Sequence, residues 1–179
     1  MNKPLAILIG LGGLGVILAL GKKSEGAVTG PPLPLVWMPT EYAEPSNRQS
    51  LDFIVLGVEG DVSGITHYQI GTDAIVQLVD EKDIAKGSGV AEIDERALYL
   101  VVQDTSQTVL DAAAWVVARA VKHWSVPLAF VDAPKIDKQA RGITTHNELA
   151  RSILNPGQLE VTSYEFPMDE LLALAKHHR

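Results

Sequence analysis

The chain has 179 residues, of which 46% are hydrophobic, and a formal net charge of -7. This length suits one domain with one hydrophobic core. The acidic balance, without a basic patch among aromatic residues, argues against a nucleic-acid partner. Because the sequence has no cysteine, disulfides and thiolate zinc ligands are excluded, and any metal site must use histidines and carboxylates.

The beginning of the chain is dominated by one apolar run, Pro4 to Leu20, which ends before Lys22 and Lys23. Its length is near the lower limit for spanning a bilayer. Three interpretations are open: a membrane anchor, a signal peptide cleaved after small residues such as Ala19, and a buried helix. The run is long for a signal-peptide core, and a membrane tolerates its glycines better than a soluble helix does. We therefore predict a transmembrane anchor over residues 1–23.

Residues 24–50 are rich in proline and glycine, a composition that favours an extended tether over a helix. Within this segment, Trp37 and Tyr42 indicate an arm that packs onto the domain. The remaining residues, 51–179, are then the folded domain.

The pattern of apolar residues in that domain predicts alternating strands and helices. The predicted elements are a buried strand (51–58), a β-hairpin (65–79), a strand buried on both faces (96–102), a long amphipathic helix (106–124), a short strand from Ile143 and a final helix (168–178). Such alternation favours a mixed central sheet packed by helices, an α/β fold.

Several stretches of this domain resemble the type 2 N-acetylmuramoyl-L-alanine amidases, a family that includes phage endolysins and the peptidoglycan recognition proteins. They occur in the family's order between about Trp37 and Leu172. The matching stretches are ITHYQIGTDAIVQLVDEKD (65–83), HWSVPL (123–128), RGITTH (141–146) and FPMDELL (166–172). The resemblance implies the amidase fold and a relation to peptidoglycan.

The resemblance also implies where a zinc site would lie. The first family ligand falls on Gly57, the second on His146, and the third on Asn155 or near Val161, with Glu160 the nearest carboxylate. A catalytic zinc needs three protein ligands and a water molecule, whose pKa the metal lowers. His146 is the one surviving ligand position, so the resemblance implies a degraded zinc site and no zinc cofactor.

Positions that assist hydrolysis in the family are altered as well. A tyrosine of some relatives is Thr66 here, and a glutamate of others falls at Tyr99-Leu100. The family's substrate loop corresponds to residues 85–89, which lack its aromatic residue and its histidine. The candidates for a substrate groove are Thr66, His67 and His146.

The same residues also have purely structural interpretations. His146 would cap the helix that follows it, and His67 would be a hydrogen-bonded core histidine. The carboxylates at residues 80–83 would belong to a solvated turn, and the histidines at 177–178 to a solvated helix end.

We therefore expect a membrane-anchored, amidase-like domain that does not hydrolyse its substrate. It would bind peptidoglycan or serve as a structural part, with virion or envelope proteins as further partners. Its location would be the host envelope or a virion membrane. The alternative is an active, endolysin-like zinc amidase in which His146 binds the metal.

Overall fold

The computed structural model describes residues 30–60, 64–152, 154–155, 157 and 159–179. The predicted anchor over residues 1–23 lies outside these residues. The structure contains a six-stranded sheet with the strand order β1-β4-β3-β5-β2-β6. The elements are β1 (Leu35–Trp37), β2 (Phe53–Val58), β3 (Tyr68–Ile70), β4 (Ile75–Gln77), α1 (Ala91–Asp94), β5 (Ala97–Val102), α2 (Gln107–Trp124), α3 (Ala133–Ile136), β6 (Gly142–Thr145), α4 (His146–Arg151) and α5 (Met168–His177).

The strands of the sheet run parallel to one another except at the predicted hairpin. There β3 and β4 pair antiparallel, and the turn is closed by a hydrogen bond from Gly71 N to Ala74 O of 3.0 Å. Every residue of β5 is buried, as expected for an interior strand covered on both faces. As a result, the carboxyl ends of β2, β3, β5 and β6 meet at one edge of the sheet.

The two faces of the sheet have different coverings. The helix face carries Ile54, Leu56, Leu98 and Leu100, which pack with α2 and α5 in the larger core cluster. The opposite face carries Phe53, Val55, Ala97 and Tyr99, which pack with α1, α3 and α4 in a second cluster. Together these two cores confirm the predicted mixed sheet packed by helices.

Some elements were not predicted. The segment expected to be a tether contains the edge strand β1, which pairs in parallel with β4, and Trp37 on it is 40% exposed. The one-turn helices α1 and α3 were missed because four residues are too few to show a helical period. Within the described residues, no helix is both long and apolar enough to cross a membrane.

Candidate functional site

The position that the resemblance assigns to a first zinc ligand, Gly57, lies at the carboxyl edge of the sheet. Gly57 of β2 pairs with Val101 of β5, and the preceding residue, Leu56, pairs with Thr145 of β6. Gly57 and His146 are the next residues along the chain after this pair, so both follow paired residues at neighbouring strand ends. Because side chains alternate along β2, position 57 faces the same side of the sheet as Val55, which is the side covered by α1, α3 and α4. The two positions named by the resemblance are therefore neighbours, but a glycine has no side chain with which to bind a metal.

His146 is the first residue of α4, and the helix cap is its neighbour. Thr145 is the N-cap, and its Oγ1 accepts a hydrogen bond from Glu148 N at 3.2 Å. The expectation that His146 itself caps the helix is therefore wrong, because the threonine hydroxyl already binds the free N–H. His146 is 6% exposed.

The positions for a third ligand do not supply one. The Asn155 side chain fixes its own loop: its Oδ1 accepts from Gly157 N at 3.1 Å and Leu159 N at 3.0 Å, and its Nδ2 donates to Ala150 O at 2.8 Å. Val161 is 49% exposed and apolar, and Glu160 is exposed.

A zinc centre does not fit the side chains found at this edge. Among the described residues, no three His, Cys, Asp or Glu side chains are grouped so as to hold a metal ion. A catalytic zinc site requires three such ligands. Of the two positions at this edge, only His146 has a side chain that could bind a metal, because Gly57 has none.

His67 lies inside the domain, where its imidazole holds β3 against β5. It is fully buried, its Nδ1 accepts from Tyr99 N at 3.1 Å, and its Nε2 lies 3.2 Å from Asp83 O. Burial, with the nearby positive charge of Arg48, lowers the pKa of His67 to about 3. A hydrogen-bonded core histidine is therefore confirmed. Thr66 is also buried, and its hydroxyl donates to Tyr68 O at 3.3 Å.

The acidic turn after the hairpin is not simply solvated, which corrects that expectation for Glu81. This carboxylate is 8% exposed and accepts hydrogen bonds from Tyr68 Oη at 2.6 Å and Trp124 Nε1 at 2.7 Å. Arg119 of α2 completes the cluster through an ion pair. Burial, with the Glu81 charge, raises the pKa of Tyr68, so the phenol remains a donor. Glu81 thus ties the hairpin to α2.

The loop at residues 85–89, which the resemblance aligns with a substrate loop, is held against the opposite face of the sheet. Asp94 is 3% exposed, and its carboxylate accepts from Ser88 N, Ser88 Oγ, Gly89 N and Tyr99 Oη at 2.7–3.1 Å. Gly87 packs so closely on Tyr99 that an added Cβ would lie 2.5 Å from the ring. The loop is therefore a fixed part of the second core.

An open pocket lies on the same edge of the sheet and begins at the strand next to Gly57. Register pairs Gly57 with Val101, Val101 with Gln69 and Gln69 with Val76, so these four residues form one row across the sheet. The last three line a pocket of about 370 Å³. We call it the edge pocket; its lining is Glu59, Gln69, Ile70, Gly71, Thr72, Asp73, Ala74, Val76, Val101 and Gln103. Strand spacing puts Gln69 about 10 Å from Gly57.

Two further pockets lie elsewhere on the domain. One, of about 520 Å³, lies between α4 and the start of α5 and is lined by residues such as Phe130, Asn147 and Tyr164. The other, of about 290 Å³, lies beside Glu81 and Arg119. Neither is lined by Thr66, His67 or His146. The edge pocket was missed in the sequence because its residues are single polar positions with no motif of their own.

Comparison with known proteins shows the fold of this chain. No protein-family model and no curated protein matches the sequence. Among solved structures, the hydrolase AmiA of Staphylococcus aureus, determined with its ligand, matches with a TM-score of 0.65 at 11% identity, over 80% of this chain and 82% of that one. The catalytic domain of XlyA matches with a TM-score of 0.53 at 10% identity, over 79% of this chain and 98% of that one.

At these identities the likeness shows the fold alone. The mixed α/β fold with a central six-stranded sheet packed by helices is that of AmiA and the catalytic domain of XlyA. The amidase fold implied by the sequence motifs is therefore confirmed.

Proposed function

We propose that this chain is an amidase-fold domain that binds peptidoglycan without cleaving it through a zinc centre. The observation that carries the proposal is the row from Gly57 to Val76. At one end of this row the family's first metal ligand is replaced by glycine, and at the other the edge pocket offers polar groups to a ligand.

The side chains at this edge do not support zinc-dependent hydrolysis. Zinc activates a water molecule only when protein ligands hold the metal and leave one position open. Among the described residues, His146 is the one imidazole at this edge; Gly57 has no side chain to bind a metal, and the Asn155 side chain is hydrogen-bonded within its own loop. An exposed carboxylate such as Glu160 gives no fixed geometry for a ligand.

The position and the lining of the edge pocket favour ligand binding. Ligands of α/β sheets bind outside the carboxyl ends of the strands, and the edge pocket lies there, beside the ends of β2, β3 and β5. Its exposed amides, Gln69 and Gln103, suit the N–H and C=O groups of a peptide. Peptidoglycan carries such peptides.

The same proposal includes a membrane attachment. An anchor over residues 1–23 would hold the domain at the membrane of a host envelope or of a virion, with residues 24–34 leading to β1. Virion or envelope proteins would then be further partners. The apolar run from Pro4 to Leu20, followed by Lys22 and Lys23, supports this part of the proposal.

An active N-acetylmuramoyl-L-alanine amidase is the second candidate, and its support is the likeness in fold to the hydrolase AmiA. Such an activity requires a metal that is bound by His146 together with further ligands that the family motifs do not imply.

The test of binding is retention of the full chain on insoluble peptidoglycan. Gln69→Arg would place a long side chain in the edge pocket, and Gln139→Arg makes the same exchange at an exposed position away from it. We expect the unmodified chain and Gln139→Arg to sediment with intact peptidoglycan, and Gln69→Arg to remain largely in solution. Equal sedimentation of both variants, or none of the unmodified chain, would contradict the proposal.

A further inference from the structure

Most of the exposed large apolar side chains of the domain lie in one short stretch of the chain. Among the described residues four such side chains are exposed, and three of them fall between positions 37 and 42: Trp37 is 40% exposed, Met38 46% and Tyr42 68%. We call residues 37–42, which read WMPTEY, the aromatic arm. Single exposed hydrophobic residues are common on protein surfaces, whereas a group of them is typical of an interaction surface.

The main chain of the aromatic arm is fixed on the hairpin. Met38 N donates to Gln77 O at 2.9 Å, and Thr40 N donates to Leu78 O at 3.0 Å. These hydrogen bonds hold the arm in place without its large side chains. The exposure of those side chains is therefore a property of the folded domain.

The arm continues from a free edge of the sheet. β1 is the first strand in the order β1-β4-β3-β5-β2-β6, so one side of β1 carries no further strand among the described residues. Consecutive side chains along a strand point to opposite faces of the sheet, so Trp37 and Met38 flank this edge from its two sides. A surface that approaches the sheet edge-on can contact both side chains.

The arm is also close in sequence to the apolar run at the start of the chain. That run ends before Lys22 and Lys23, and residues 24–36 alone separate Lys23 from Trp37. A segment of this length reaches about 45–50 Å at most when fully extended. With the run in a membrane, as proposed above, the tether would keep the arm at a high effective concentration near the bilayer surface.

The side chains of the arm suit the boundary between lipid headgroups and acyl chains. Trp and Tyr are enriched at this boundary, because their rings pack on apolar groups while the indole N–H and the hydroxyl reach polar ones. Residues 33–45 contain Glu41 and Glu44 but no lysine or arginine, so attraction to anionic lipids would not hold the arm there. The contact would be apolar and would form on zwitterionic lipids.

The size of the exposed surface favours a bilayer over a protein partner. Large side chains of this kind have about 150–250 Å² of surface, so the exposed parts of Trp37, Met38 and Tyr42 amount to roughly 300 Å². A stable protein interface buries about 800 Å² on each partner. A bilayer contact needs less area, because the apolar run would already hold the chain at the membrane.

We propose that the aromatic arm inserts into the interfacial region of a lipid bilayer, so that the domain stands on the β1 edge of its sheet. This inference rests on the membrane attachment included in the proposed function. In this orientation β6, at the other edge of the sheet, lies about 24 Å from β1, since neighbouring strands are about 4.8 Å apart. The strands β2 and β6, with Gly57 and His146 at their ends, are then on the side of the domain away from the bilayer.

The experiment uses the full chain, which has no cysteine, so one introduced cysteine can carry a fluorescent label. Met38→Cys places the label in the arm. Val161→Cys places it at the remaining exposed large hydrophobic residue, which is 49% exposed and lies outside the arm. Each labelled chain is reconstituted with phosphatidylcholine vesicles that contain nitroxide-labelled lipid as a quencher, and flotation of the vesicles shows whether the chain is attached.

The nitroxide lipid should quench the label at position 38 several-fold more strongly than the label at position 161. Adding Trp37→Ser and Tyr42→Ser to the Met38→Cys chain should reduce this quenching toward the level at position 161. A chain that floats with the vesicles but shows equal quenching at both positions would overturn the inference and leave the anchor in place. A label at position 38 that is shielded from aqueous iodide, but not quenched by the lipid, would overturn it in favour of a protein partner such as a second copy of the chain. If the chain does not float, the anchor and the inference both fail.

Discussion

Gly57 and Val101 are partners in register on the parallel strands β2 and β5, at the carboxyl edge of the sheet. Val101 is also part of the edge pocket. The position that would hold a metal ligand in the resembled family and the pocket that offers polar groups to a ligand are therefore next to each other. In this molecule, that edge carries a glycine where the resemblance implies a metal ligand, and the exposed amides of Gln103 and Gln69 lie one and two strands away.

The buried carboxylate of Glu81 should be among the largest single contributors to stability. In Glu81→Ala, the Tyr68 hydroxyl and the Trp124 indole N–H lose their acceptor while remaining inside the domain. We expect the free energy of unfolding to fall by about 2–6 kcal/mol, because each of the two buried donors left without an acceptor costs about 1–3 kcal/mol. Urea denaturation monitored by circular dichroism measures it.

The control for that experiment is Glu41→Ala, which removes an exposed carboxylate. It should change the free energy of unfolding by less than about 0.5 kcal/mol. A Glu81→Ala chain that is as stable as this control would show that the cluster around Glu81 does not hold the hairpin to α2.

The loop over Tyr99 should not tolerate a side chain at Gly87. In Gly87→Ala, the new methyl group would lie 2.5 Å from the Tyr99 ring, so either the loop or the ring must move. Overpacking of this kind costs about 1–3 kcal/mol. We expect a lower midpoint of urea unfolding for Gly87→Ala, whereas Gly30→Ala, which meets no atom within 4 Å, should leave it unchanged. Equal midpoints would mean that the loop is not packed on Tyr99.

His67 should make the stability of the domain depend on pH. Its pKa is lowered to about 3 in the folded state, from an ordinary value of 6.5, so the unfolded chain binds the proton more tightly. The contribution of His67 is complete above pH 6.5 and falls as the pH decreases toward 3. Near pH 5, the free energy of unfolding should be lower by about 2 kcal/mol than at pH 7 because of this residue.

Unfolding at several pH values tests this assignment with two variants. His67→Gln keeps an acceptor for Tyr99 N but cannot be protonated, so its stability should vary less between pH 5 and 7. His177→Gln, at an exposed position, should follow the unmodified chain. If all three chains show the same dependence, His67 does not control it.

The fold could be predicted largely from the sequence, because its strands and long helices are strongly patterned. The continuous apolar run of β5 and the helical spacing of apolar residues in α2 each indicate which residues are buried. The bounds of both elements were predicted within two residues. The hairpin around Gly71 was equally clear. In contrast, β1 has three residues, and its pairing with β4 depends on a contact between segments about 40 positions apart along the chain.

The candidate site could be predicted only in part. The absence of a ligand at Gly57 was visible in the sequence, because glycine has no donor. The roles of Glu81 and His178 were not visible: both were expected in solvent, yet Glu81 is buried and His178 Nε2 lies 2.8 Å from Asp111 Oδ1 of α2. The edge pocket was also missed, since Glu59, Gln69 and Gln103 are brought together only by the register of three strands.

Whether the domain cleaves peptidoglycan through zinc can be decided on one sample of the full chain. Bound zinc is measured by atomic absorption, and release of soluble fragments from peptidoglycan is measured alongside it. We expect less than stoichiometric zinc and no release of fragments, from the unmodified chain and from His146→Ala alike. One zinc ion per chain, with cleavage that is lost in His146→Ala, would contradict this expectation.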